Sequence, residues 1–179
     1  MPGTIVAPQM TDHECNVLRG YFEQDALMFV APLASGESAY AGSVMYVDEN
    51  GYMRKGLPDN TVGMFAWPNS SDFDVRADVG NTQSENMMAL PCLGAFELQT
   101  TEYDSAQTYA PNDYLTAWDS QLDGYVAANK GQVTLGTPYV NTLVGIVSTG
   151  VATNEWGEGM LSLWTYHLPI DLSSSGSGA

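Results

Sequence analysis

Residues 43–56 read SVMYVDENGYMRKG, and their pattern decides the fold class. Ser43 to Val47 and Tyr52 to Arg54 are short runs of alternating polarity on either side of Asn50-Gly51. Asn-Gly tolerates the positive φ angles of a type I′ hairpin turn, so the stretch predicts a β-hairpin. Outward from it the same grammar recurs. Leu27 to Ala31, Val62 to Trp67, Leu93 to Thr100, Tyr114 to Trp118, Gly124 to Ala128, Gln132 to Leu135, Leu143 to Ser148 and Met160 to Leu168 read as strands, parted by Gly, Pro, Asn and Asp clusters. Within Leu93 to Thr100, Phe96, Leu98 and Thr100 share one face and Glu97 and Gln99 the other. The expectation is an all-β chain, a compact β-barrel or β-sandwich.

The N-terminal stretch departs from this grammar. TDHECNVLRGYFEQDAL, residues 11–27, carries a capping-box spelling at Thr11 and Glu14, and Val17, Leu18, Tyr21 and Phe22 follow at near-helical spacing around Gly20. Residues 1–30 are therefore expected to form an N-terminal arm, extended or partly helical. Residues 31–170 are expected to form the β domain, and the Ser/Gly-rich residues 171–179 a flexible tail.

A second stretch, DYLTAWDSQLDGYVAANKG (113–131), echoes the first. Tyr40-Ala41 matches Tyr109-Ala110, Asn50-Gly51-Tyr52 matches Asp123-Gly124-Tyr125, Lys55-Gly56 matches Lys130-Gly131, and Val62-Gly63-Met64 matches Val144-Gly145-Ile146. The order of landmarks suggests two hairpin-plus-strand units, 38–104 and 106–170, with length differences confined to loops. Coincidence is the competing explanation in a chain with 18 glycines and 10 tyrosines.

Composition excludes several classes of function. The chain has 179 residues, 44% hydrophobic and 15% charged, enough to bury a core without staples. Its formal charge of −16 comes from 21 acidic against 5 basic side chains, of which only Arg54 and Lys55 are adjacent. Nucleic acid and anionic membranes both demand clustered cations, so neither is expected as a partner. No apolar run reaches membrane-spanning length. The opening MPGTIVAPQMTDHE lacks the charged and apolar regions of a signal peptide, which fits synthesis in the cytoplasm. Two cysteines, Cys15 and Cys92, are too few for a disulfide scaffold and read as thiols, Cys92 as a small buried hydrophobe.

No catalytic constellation emerges. Of the two histidines, His167 shares a strand face with Leu161, Leu163 and Thr165, a packing position. His13 neighbours Asp12, Glu14 and Cys15 without metal-site spacing. Gly-x-Ser-x-Gly, P-loop and dinucleotide fingerprints are absent. Glu155 and Glu158 flank Trp156 in TNEWGEGM, a pair that a glycosidase could use, but the glycines around them suit a solvated loop better. Asp72, Asp74 and Asp78 lack the glycine and glutamate of a calcium loop. No catalytic residue, cofactor or metal is assigned. Trp67 and Trp164 fall in strands and read as core. Trp118 and Trp156, beside acids in loops, and Tyr21 and Phe22 in the arm are candidates for an interaction surface.

The second half, YAPNDYLTA…GYVAA…GQVTL…NTLVGIVSTG…GEGMLSLWTYHLP, resembles the β-barrel of capsid decoration (cement, or head-stabilising) proteins of tailed bacteriophages, over residues 106 to 170 with a weaker echo in 38 to 67. The resemblance is one of texture: a loading phrase, a glycine-turn hairpin, Val-Gly-Ile-Val, a small-residue loop and a closing strand. It implies a non-enzymatic structural protein of the virion, made in the host cytoplasm and placed on the outer capsid surface. It also implies a homotrimer, the major capsid protein as partner, and an arm reaching neighbouring subunits. The alternative is a carbohydrate-binding, lectin-like module on a virion or cell surface that stacks a glycan on Trp118 and Trp156.

Overall fold

The computed structural model describes residues 15–19, 29–67, 86–92, 96–138, 140–154 and 157–168. Among the described residues eleven strands run in chain order: β1 (Cys15–Arg19), β2 (Phe29–Pro32), β3 (Val44–Val47), β4 (Met53–Lys55), β5 (Met64–Trp67), β6 (Asn86–Pro91), β7 (Glu97–Thr100), β8 (Tyr114–Ala117), β9 (Val133–Leu135), β10 (Leu143–Thr153) and β11 (Gly159–Leu168). The only helical turn among the described residues is a short 3-10 helix, Ala127–Asn129. The chain is all-β, as its alternating runs predict.

The strands form two antiparallel sheets, ordered β1-β7-β11-β10-β8-β9 and β2-β6-β5-β3-β4. Without β1, the first order repeats the second strand for strand. Registers repeat as well. Val44 pairs with Phe65 and Met45 with Met64, as Tyr114 pairs with Ile146 and Leu115 with Gly145. After its first strand each ribbon turns back, so that Leu33 bridges Met53 in parallel and Tyr103 bridges Val133. The Ala34 N–H donates to Met53 O (2.9 Å), and the Asp104 N–H to Val133 O (2.8 Å). These bridges bring the two ends of each ribbon together and curl it toward a small barrel.

The turn before the second strand of each ribbon also recurs. Gly42 and Asn112 both hold positive φ, 87° and 75°, which glycine and asparagine tolerate where a β-branched residue would strain. Their N–H groups donate to Ala66 O and Val147 O, both at 2.9 Å. Ser43 Oγ accepts the Tyr40 N–H (3.2 Å), and Asp113 Oδ2 accepts the Ala110 N–H (2.8 Å). Position for position, then, Tyr40 corresponds to Ala110 and not to Tyr109. Gly56, whose N–H meets Val44 O, corresponds to Gly136, whose N–H meets Tyr114 O, and not to Gly131.

Several sequence expectations change. Cys15–Arg19, expected within a helix or arm, forms β1 on the edge of β7, where its Cys15 and Val17 face the core. Of the expected strand Leu93 to Thr100, residues 93–95 lie outside the described residues and β7 begins at Glu97; β6 of the other sheet ends at Pro91, with the Cys92 N–H still bonded to Gly63 O. The run from β6 to β7 therefore crosses from the first ribbon to the second. Gly124 to Ala128 is no strand but part of a long loop between β8 and β9. The Asn50-Gly51 hairpin forms, with Gly51 alone at positive φ; Asp48 N–H donates to Tyr52 O (2.8 Å) around a three-residue loop, instead of the type I′ turn.

Two cores result. Met45, Met53, Met64, Ala66, Ala89, Ala31, Leu33 and Ala39 fill the inside of the first ribbon. The larger core gathers Leu98, Tyr109, Leu115, Ala117, Val133, Val147, Leu161 and Leu163 of the second ribbon with Val44, Phe65, Leu90 and Cys92 of the first. The outer face of the first ribbon thus closes the core of the second.

Candidate interaction surface

Period-two alternation puts a row of side chains on the outer face of the six-stranded sheet: Tyr114, Ile146, Trp164 and Glu97, register partners in turn across β8, β10, β11 and β7. Their neighbours Leu115, Val147, Leu163 and Leu98 point inward and are buried. By register, Tyr114, Ile146 and Trp164 stand where Val44, Phe65 and Leu90 stand in the first ribbon. The first trio is fully buried, whereas Tyr114 is 42% exposed and Ile146 and Trp164 are half-buried. Trp164, read from its strand position as core, belongs to this outer row. Glu97 at the row's end is buried and accepts the Ser148 hydroxyl. The three places left open, Tyr114, Ile146 and Trp164, are apolar, aromatic at two of the three and anchored on strands, a composition that suits protein contact.

A joint between the ribbons lies nearby. Where the first ribbon turns on Asp48–Tyr52, the second inserts the loop from Trp118 to Gln132, closed by the Trp118 N–H to Gln132 O bond (2.9 Å). That loop reaches across to the first ribbon. Gly131 O accepts the Val44 N–H (2.7 Å), Asp119 Oδ2 accepts the Leu57 N–H (2.9 Å), and Gln121 Oε1 accepts the Asp59 N–H (3.1 Å). Asp119 is buried, with its other oxygen held by Ser120. Gly56, at φ 110°, passes so close that a Cβ there would run into the Asp119 carboxylate. Lys130 reaches Glu37 at 3.3 Å, and Arg54 binds Asp48 at 2.7 Å and Glu37 at 3.8 Å. The Asp48 carboxyl sits below its ordinary value, chiefly through the Arg54 hydrogen bond. Arg54 and Lys130 are thus tied into this joint, while Lys55 lies 5.9 Å above the Tyr40 ring.

Beside Asp119 is a cleft of about 130 Å³, walled by Leu57, Thr116, Gln121, Val140 and Thr142. Organic ligands generally need pockets of roughly 300 Å³ or more. Most of its polar groups are also engaged: Thr116 Oγ1 donates to Thr142 O, and Thr142 Oγ1 accepts the Asn60 N–H. The cleft is the seam of the joint.

Of the four residues that the sequence marks for contact, Trp118 is half-buried, and its Nε1–H donates to Asp104 Oδ2 (3.1 Å). Its indole edge is committed within the fold. Trp156, Tyr21 and Phe22 lie outside the described residues, as do His13, Glu155, Asp72, Asp74 and Asp78. The His167 backbone belongs to β11. Glu158 closes a turn with Asn154, taking the Asn154 side-chain amide on its carboxylate (3.4 Å) and giving its N–H to Asn154 Oδ1 (2.8 Å). Among the described residues no three His, Cys, Asp or Glu side chains group to hold a metal. Sequence reasoning missed the outer row. The signal was present in the alternation Tyr114-Leu115 and Leu163-Trp164, but which parity faces inward depends on the partner sheet.

No protein-family model matches the chain, and no curated protein matches it.

Proposed function

We propose that the chain is a non-enzymatic structural protein of a tailed-phage virion, binding the outer surface of the capsid and stabilising the expanded shell. One observation carries the binding part of this reading: Tyr114, Ile146 and Trp164 stay open on the face whose twin in the first ribbon is buried. The capsid part rests on the resemblance of residues 106–170 to decoration proteins. The occupant of the row is the major capsid protein. A chain of formal charge −16 repels other copies of itself away from its contacts. The trimer and the position on the virion exterior follow from the resemblance alone.

The test adds the protein to expanded, undecorated capsids and measures saturable binding, with molar mass by light scattering alongside. Saturable binding that is lost in Tyr114→Asp and Trp164→Ala, with both variants still folded, supports the reading. A mass near three times 19.3 kDa supports the trimer. Absence of capsid binding together with glycan binding would transfer the function to the lectin-like alternative. Binding that survives both substitutions would move the docking surface elsewhere.

A further inference from the structure

The one Asn-Gly pair of the sequence, Asn50-Gly51, sits at the tip of the β3–β4 hairpin. Both residues are exposed. A Cβ placed on Gly51, at φ 82°, would meet nothing within 4 Å, so the peptide link between the two lies open to water. The Asn50 side-chain amide makes no hydrogen bond among the described residues. A single residue organises the turn around it. Asp48 Oδ1 accepts the N–H groups of Asn50 (2.9 Å) and Tyr52 (3.0 Å), and Oδ2 accepts Arg54 Nε–H (2.7 Å). The Asp48 carbonyl accepts the Gly51 N–H at 3.0 Å.

We propose that Asn50 is a site of spontaneous deamidation, a modification whose rate is set by the Asp48–Arg54 clasp. The Gly51 nitrogen is the nucleophile, and glycine suits the role because no side chain shields it. Hydroxide takes the Gly51 amide proton, and the nitrogen attacks Cγ of Asn50. A C–N bond closes a succinimide ring. The departing side-chain nitrogen takes a proton from water and leaves as ammonia, which restores the hydroxide. Water then opens the ring at either carbonyl. Breaking the bond from the Gly51 nitrogen to Cγ gives aspartate. Breaking the bond from that nitrogen to the Asn50 backbone carbonyl gives isoaspartate, whose main chain runs through Cγ. One water enters, one ammonia leaves, and no oxidation state changes. In the closed turn the Gly51 proton is held by Asp48 O, and the pinned N–H groups of Asn50 and Tyr52 fix the backbone on both sides of the link. Ring closure therefore waits for the turn to open. Asn60 and Asn112 serve as internal controls. Both are exposed and hold positive φ, 61° and 75°, but Thr61 and Asp113 follow them, each with a Cβ beside its nitrogen. The product adds a carboxylate next to Asp48 and Glu49, where Arg54 already serves Asp48 and Glu37. The modification is independent of what the chain binds.

The experiment holds the full chain at mildly alkaline pH, folded in buffer and unfolded in urea, and digests samples at acid pH at intervals. The peptides are weighed, and isoaspartate is read by enzymatic methylation. The expected result is an Asn50 peptide that loses ammonia and reappears as aspartate and isoaspartate, ahead of the Asn60 and Asn112 peptides and in proportion to hydroxide. Asp48→Ala, with circular dichroism showing it folded, should raise the Asn50 rate by roughly 5–30-fold toward that of the unfolded chain. Arg54→Ala, which loosens the clasp without removing it, should raise the rate by a smaller factor. An Asn50 that stays intact while Asn60 or Asn112 converts would overturn the proposal. So would aspartate formed without isoaspartate, since no ring would then have closed. A folded wild type as fast as the unfolded chain and Arg54→Ala would deny the clasp its control.

Discussion

Val44, Phe65 and Leu90 line up across three strands of the first ribbon, and Tyr114, Ile146 and Trp164 line up at the same places in the second. The first row is buried against the neighbouring ribbon, and the second faces outward. Identical strand order has thus been given opposite environments. The interiors differ too. The first ribbon holds methionine and alanine, the second leucine, valine and two tyrosines that meet edge to face, ring centres 5.7 Å apart. Met fills irregular gaps, whereas branched side chains and an aromatic pair define a core more sharply. The lesson is that topology tolerates wide changes of side chain, while the difference between a core face and a contact face is set by what lies opposite.

The comparison would break most visibly at Phe65. Phe65→Ala removes a fully buried ring from the core shared by both ribbons and should destabilise the chain by about 3–5 kcal/mol in urea unfolding. Its positional twin Ile146→Ala, half-buried on the outer row, should lose only about 1 kcal/mol. Equal losses would mean that the outer row is core. The glycines give a second contrast. Gly56→Ala meets both a positive φ and the Asp119 carboxylate, and should cost about 3 kcal/mol, against about 1 kcal/mol for Gly51→Ala, which has the strain and open space. A mild Gly56→Ala would show the joint to be loose.

Asp119→Ala tests the loop that distinguishes the second ribbon. It leaves the buried Leu57 N–H without its acceptor and should cost roughly 1–3 kcal/mol, with hydrogen exchange at Leu57 rising more than at Met45 within the first ribbon. Uniform exchange across both ribbons would deny the joint a separate role. The smallest effect belongs to the tight hairpin. Asp48 has a lowered carboxyl pKa, so its contribution is present above the ordinary value of 3.8 and is lost as pH falls through the lower folded value. Acid unfolding of Arg54→Ala should therefore differ from wild type near neutrality, and the two curves should converge at the acid end.

Strand character was legible in most runs where alternation stood beside turn residues, Gly124 to Ala128 being an exception. Ser43 to Arg54 and Met160 to Leu168 need only local information, because period two and glycine at positive φ are properties of the chain itself. The strand at Cys15–Arg19 was hidden, since Val17 and Leu18 fit a helix as well as a strand and only the free edge of β7 settles the choice. Cys92 is buried, as its reading as a small hydrophobe expects, whereas the passage from β6 to β7 between sheets leaves no mark in the alternation. Trp118 was legible as an aromatic beside acids, yet its bond to Asp104 comes from a residue far back in the chain.

The sequence by itself determined an all-β chain, strongly acidic, with its hairpin at Asn50-Gly51 and strand-sized runs in both halves. It could do so because charge and side-chain periodicity are local. Tertiary structure alone decided that the two ribbons share one strand order, that Phe65 is core while Ile146 faces outward, and that Cys15 and Cys92 share a core. Those outcomes depend on which sheet faces which. A strand presents the same two faces whichever of them the rest of the molecule covers.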